Sequence, residues 1–177
     1  MSFTAVVLAG GLSSRMGTDK AQLQLEQKTF LARAIELVEL AGCDRVIVSS
    51  NKPGYLADVY PGNGPLGGVY TALMNTSQDI LTVAVDMPLI TEEILINLCD
   101  KGKCDKVTAT FYHDNPLPMF IKNSTAVKAT LKEILLQPES NKSIKNFLKI
   151  IAASELKKPC VGEFININTP DEFLALT

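Results

Sequence analysis

Apolar residues along this chain follow two spacings in turn, which predicts strands and helices in alternation. Phe3 to Ala9 is a short apolar run ending at Gly10-Gly11, the signature of a buried strand and a turn. Phe30, Ala34, Ile35, Leu37, Val38 and Ala41 then fall at helical spacing, with Thr29 as N-cap and Gly42 as stop. Val46-Ile47-Val48 centres a second buried strand over Arg45–Ser50. A Pro/Gly-rich loop leads to a predicted helix over Gly67–Thr76, and Ile80–Val85 reads as a third strand, ending at Asp86-Met87-Pro88. Thr91-Glu92-Glu93 opens another helix, since early carboxylates suit the positive end of its dipole. Lys106–Tyr112 and Pro118–Lys122 are predicted strands; Ser124–Leu136 and Ser143–Lys149 are predicted helices. Phe164–Ile167 is predicted as a last strand, before a helix start at Thr169-Pro170-Asp171-Glu172. Such alternation favours an α/β sandwich around a mostly parallel sheet.

Composition narrows the class. With 177 residues, 46% hydrophobic and 20% charged, the chain suits one globular domain and excludes a disordered one. We expect a single domain over residues 1–177, with no repeat or linker dividing it. Seventeen Lys+Arg against 19 Asp+Glu leave a net charge of −2, which argues against a nucleic-acid partner, since that needs a basic face. No stretch reaches the ~18 apolar residues of a membrane span, so no membrane partner is expected. The first cation, Arg15, follows the first apolar run, the reverse of a secretory signal. The four cysteines show no paired spacing. These features set the expectation of a cytoplasmic protein, in which the sequons at Asn75, Asn123 and Asn141 carry little meaning.

Candidate chemistry concentrates in Leu8–Lys20, LAGGLSSRMGTDK, between the first strand and the first long helix. Ligands of α/β sheets bind outside the carboxyl ends of strands, so this loop is well placed. It is not a P-loop: five residues separate Gly11 from Gly17, and Thr18 stands where Lys is required. Nor is it a dinucleotide fingerprint, because the glycines are adjacent and the second strand ends in Ser49-Ser50-Asn51 without an acid. What remains is a glycine pair that lets a ligand approach the main chain, with Arg15 and Lys20 bringing two cations that suit a polyphosphate. A strand-to-helix turn with solvated charges is the alternative.

LAGGLSSRMGTDK resembles the signature of the molybdenum cofactor guanylyltransferases, and further motifs follow in order. Asp58 leads into PGNGPLGG at 61–68, similar to that family's second glycine loop. VAVDMPL at 83–89 is similar to its metal-binding strand end, and FININTPD at 164–171 to its C-terminal substrate motif. The resemblance spans nearly the whole chain and is loosest at Asn115–Phe120 and Asn141–Leu148. It implies a three-layer α/β sandwich with a Rossmann-like sheet flanked by helices, the nucleotidyltransferase fold. It also implies an N-terminal part that binds nucleotide and a C-terminal part that binds the acceptor. The implied reaction transfers GMP from Mg²⁺-bound GTP (Mn²⁺ as substitute) to the phosphate of molybdenum-molybdopterin. Transient contacts with cofactor-assembly proteins or apo-molybdoenzymes are implied too. By the same resemblance Leu8, Ala9, Gly10, Gly11, Lys20, Asp58, Gly64 and Asp86 contact the nucleotide. Asp86 holds the metal, Lys20 and Arg15 stabilise charge, and Asn166 and Asn168 hydrogen-bond the pterin.

Each of these residues also has a plainer reading. Asp86 ends an apolar strand where Pro88 forbids its continuation, a place for a metal ligand or for an Asp capping a turn. Asp58 and Gly64 could belong to a surface turn. Asn166 and Asn168 would share one face of a strand, or Asn168 would only support the next helix start. His113, the one histidine, reads as a solvated loop residue, and no C-x-x-C pair supports zinc at Cys99, Cys104 and Cys160. A base is unnecessary to the implied reaction, because the attacking phosphate is already anionic. The alternatives are a CTP-dependent cytidylyltransferase, a sugar-phosphate nucleotidyltransferase and a nucleotide-binding module without catalysis.

Overall fold

The computed structural model describes residues 2–10, 19–104, 106–159 and 162–176. In chain order its elements are β1 (Phe3–Leu8), β2 (Gln24–Leu25), β3 (Lys28–Thr29), α1 (Phe30–Leu40), β4 (Arg45–Ser49), α2 (Pro65–Met74) and β5 (Asp79–Ala84). There follow α3 (Glu92–Gly102), β6 (Ala109–Tyr112), β7 (Asn115–Ile121), α4 (Thr125–Leu136), α5 (Ile144–Ile150), β8 (Ser154–Leu156) and α6 (Pro170–Leu174). Six strands form one sheet in the order β4-β1-β5-β7-β6-β8, and β2 and β3 form a separate hairpin. Three pairings of the main sheet are parallel (β1 with β4, β1 with β5, β6 with β8), and β7 runs antiparallel to both neighbours.

Alternation along β1 divides the core into two layers. Phe3, Ala5 and Val7 pack with Leu31 and Val38 of α1 and Leu95 and Leu98 of α3. Val6 and Leu8 turn to the other face and pack with Leu66 and Leu73 of α2, Leu131 of α4 and Phe147 of α5. Because both faces are covered, β1 is buried along its whole length and is apolar except for Thr4, whose hydroxyl donates to Gln78 Oε1 at 2.6 Å. Helices on both faces make the expected three-layer sandwich.

Local chemistry sets most boundaries as predicted. Thr29 caps α1 by accepting from Ala32 N at 3.1 Å, and Ser124 caps α4 by accepting from Val127 N at 3.2 Å. The helix α2 begins two residues earlier than expected, because Gly64, at φ 61° and ψ −153°, turns the chain and Pro65 takes the first helical position. Its Gly68 permits a close approach: a Cβ there would lie 2.4 Å from Ser49 Oγ and 3.0 Å from Leu8 Cδ2.

One predicted element is absent. Phe164–Ile167 is not a strand: Gly162–Phe164 forms a 3-10 turn, and residues 165–168 are irregular. Phe164 and Ile167 are the buried pair and Ile165 and Asn166 are exposed, a spacing of three that no strand face has. The segment instead crosses the sheet's carboxyl edge, where Ile167 N donates to Asp86 O at 2.8 Å.

Candidate active site

The parallel strands deliver their ends to one place. Leu8 is in register with both Ser49 of β4 and Ala84 of β5. The ladder runs one step further, Ala9 N donating to Ser49 O at 3.0 Å and Val85 N to Leu8 O at 3.3 Å. β7 enters this edge from the opposite direction, so its first residues, Asn115 to Leu117, stand beside the end of β5. Two cavities of about 270 and 420 Å³ open there and share Leu8, Ala9, Gly10 and Pro65 as a common wall.

The smaller cavity holds Asp19, Lys20 and Asp86. Asp19 caps the turn that carries Lys20, one carboxylate oxygen accepting from Ala21 N at 3.2 Å while the other meets the ammonium of Lys52. The Lys20 ammonium donates to Asp86 Oδ2 at 3.2 Å and to Asn168 Oδ1 at 2.7 Å. Both charges are largely covered, the side chains being 18% and 25% exposed. Asn166, exposed on the irregular segment, lines the same cavity. Asn166 thus reaches the cavity, and Asn168 its lysine, without the strand that was expected to carry them. Asn115 Nδ2, donating to Phe164 O at 3.4 Å, ties that segment to β7.

The larger cavity is framed by residues 49–52, Asp58 and the glycine loop before α2. Asp58 N donates to Asn51 Oδ1 at 3.2 Å, and Asp58 Oδ1 accepts from Ser49 Oγ at 3.4 Å. Burial pushes the Asp58 carboxyl above its ordinary value, and the Ser49 hydroxyl opposes that shift. Gly64 lines the same wall. A Cβ at Gly10 would touch protein only at ordinary contact distance, 3.7 Å from Ser50 Cα, so the space beside it belongs to the cavity.

Leu8, Ala9, Gly10, Lys20, Asp58, Gly64, Asp86, Asn166 and Asn168 therefore gather at one strand edge. Gly11 and Arg15 lie outside the described residues. Ser49, Asn51, Lys52, Asp19 and Asn115 also line the cavities, although sequence reasoning singled out none of them. For the first three the signal was the polar end of the second strand. His113 stands apart, its side chain 63% exposed between Asp114 and Glu155. Cys99 is buried, and desolvation pushes its thiol up to about 12.

The donor set suits a particular kind of ion. Among the described residues no group of three or more His, Cys, Asp and Glu could cage a metal. Asp86 offers one hard carboxylate beside a cavity, which fits a Mg²⁺-like ion that keeps waters and takes its other ligands from substrate phosphates.

A cation-bearing cleft at the carboxyl ends of parallel strands, divided into two chambers, is where α/β proteins bind their ligands. The model of the MobA-like NTP transferase domain matches residues 5–156, and the chain belongs to that family. A molybdenum cofactor guanylyltransferase of Xanthomonas euvesicatoria is 33% identical over 180 residues, covering 98% of this chain and 94% of that protein. The molybdopterin-guanine dinucleotide biosynthesis protein A of Archaeoglobus fulgidus has a similar fold, with TM-score 0.79 and 21% identity over 98% of this chain and 96% of that one. A Mycobacterium tuberculosis protein solved in complex with manganese superimposes with TM-score 0.66 and 18% identity, over 99% and 98% of the two chains.

Proposed function

We propose that this chain transfers GMP from metal-bound GTP to the terminal phosphate of molybdenum-molybdopterin, giving the guanine dinucleotide cofactor and pyrophosphate. The observation that carries the reading is the Lys20–Asp86 pair in a cavity whose wall is shared with a second, nucleoside-sized one. Membership of a nucleotidyltransferase family whose guanylyltransferase relatives span the same length supports it.

In this reading a phosphate oxygen of the acceptor attacks the α-phosphorus of GTP, and the bond to the oxygen bridging the α- and β-phosphates breaks. The nucleophile is already anionic, so no protein base is required, and catalysis is positioning plus charge stabilisation. Asp86 would hold Mg²⁺, which, when bound, neutralises charge on the phosphates. Lys20 supplies an ammonium donor to the phosphate oxygens, with Arg15 assigned the same task. Leu8, Ala9 and Gly10, continued by Gly11, present main chain to the nucleotide, and Asp58 and Gly64 line the nucleoside chamber. Asn166 faces the acceptor side. The chain is one domain with a nucleotide-binding first part and an acceptor-binding second part. Its compartment is the cytoplasm, and its product passes to cofactor-assembly proteins or apo-molybdoenzymes.

Calorimetric titration of the four nucleoside triphosphates with Mg²⁺, followed by pyrophosphate release on adding molybdenum-molybdopterin, tests this. GTP-selective binding with acceptor-dependent release is expected. Preference for CTP would move the chain to the cytidylyltransferases, and acceptor activity with a sugar phosphate to their sugar-phosphate relatives. Binding without release would leave a nucleotide-binding module.

A further inference from the structure

The short helix α6 has five residues and buries none of them, and a helix of that length has negligible stability of its own. Its start is nevertheless held by a complete capping box. Thr169 Oγ1 accepts from Glu172 N at 3.3 Å, and Glu172 Oε2 accepts in return from Thr169 N at 3.0 Å. The same oxygen takes one bond more than a capping box requires, from Asn168 N at 2.6 Å. These bonds, that of Asn168 first among them, and last the charge of Lys20, hold the Glu172 carboxyl below its ordinary value against desolvation.

Asn168 is fixed from its other side as well. Its neighbour Ile167 is buried with Leu25 and Phe30 and donates its N–H to Asp86 O at 2.8 Å. So held, Asn168 offers Oδ1 to the Lys20 ammonium at 2.7 Å, shorter than the 3.2 Å from that ammonium to Asp86. An ammonium has three donors and no acceptor, so Asn168 must present its oxygen, and among the described residues Lys20 bonds these two oxygens.

We propose that Glu172, which touches neither Lys20 nor Asp86 through a hydrogen bond, is a positioning residue: it fixes Asn168 so that Asn168 holds the Lys20 ammonium against Asp86. The proposal rests on the nucleotidyl-transfer reading for its effect on rate, but the placement of Lys20 is measurable without substrate.

Glu172→Ala should lower kcat roughly tenfold, the scale seen when a group that orients a reacting residue is removed, with KM for GTP nearly unchanged. Glu172→Gln keeps an acceptor oxygen and should recover most of the loss. Asn168→Ala leaves the capping box intact and should reproduce it, which separates positioning from failure to fold. In a Lys20→Ala background, itself ~10²–10³ slower, Glu172→Ala should have almost no further effect. A full additional loss there, or an unchanged kcat in the single variant, would overturn the proposal. Independently of turnover, competitive acetylation read by mass spectrometry should show Lys20 severalfold more reactive in Glu172→Ala, against Lys28 as internal standard. An unchanged ratio overturns the positioning role, whereas wild-type protein that transfers no nucleotide overturns only the reading of function.

Discussion

The two halves of the central sheet are joined by different connections, and they contribute differently to the cleft. β1, β4 and β5 are linked through helices, so all three run parallel and end at the same edge. β6 and β7 are joined by a hairpin at His113-Asp114, so β7 comes back against both neighbours and brings its beginning, not its end, to that edge. The first half therefore lines the cleft with strand ends and the loops that follow them. Among the described residues the second half places Asn115–Leu117 there and relies on residues 162–176, which cross back over the strand ends, for further polar groups. A crossover makes a binding edge as a by-product of topology, whereas a hairpin needs an added segment to reach it.

The contrast can be broken most severely at the end of β5. Asp86→Ala should cut turnover by roughly 10³-fold or more, the upper end for losing a preorganised electrostatic group. It should leave the melting curve nearly intact, because the bond from Ile167 uses the main-chain oxygen of Asp86. A smaller effect separates the halves by packing. Gly68→Ala sets a Cβ 2.4 Å from Ser49 Oγ, and Gly102→Ala sets one 2.4 Å from Phe120 Cδ1. Each should cost ~1–3 kcal/mol in urea unfolding. Only Gly68→Ala should also raise KM for GTP, since Ser49 and Leu8 line the larger cavity, the proposed nucleoside site. An equal rise in Gly102→Ala would erase the distinction. The smallest effect belongs to the hairpin tip, where His113→Ala should change turnover by less than about twofold, as exposed substitutions away from a site do.

Sequence reasoning read the first half well because its signals are local. Buried runs such as Phe3–Leu8 and the Thr29 cap each follow from neighbouring residues, although the start of α2 at Pro65 was placed two residues late. It failed where tertiary contacts decide. The β2–β3 hairpin has two residues per strand and turns at Glu26-Gln27, both at positive φ (50° and 67°), without the Asn-Gly or Asp-Gly pair that announces such turns. β8 is three residues, Ser-Glu-Leu, on an edge, too short and polar to show a period. Phe164–Ile167 resembles a strand in composition, yet no sheet edge receives it. The candidate site was legible residue by residue in Lys20, Asp86 and the glycine loops. That Asn168 meets Lys20 was not, because two remote segments must first be folded together.

The Lys20–Asn168 bond joins residues 148 positions apart, and the Ile167–Asp86 bond crosses between the same remote segments. Neither contact is local: each holds only while the segment after residue 162 is packed against the strand edge. An endoprotease that clips the chain between β8 and residue 162 would cut the covalent link that keeps Phe164, Ile167 and Asn168 against the strand edge, and with it the hold on the lysine.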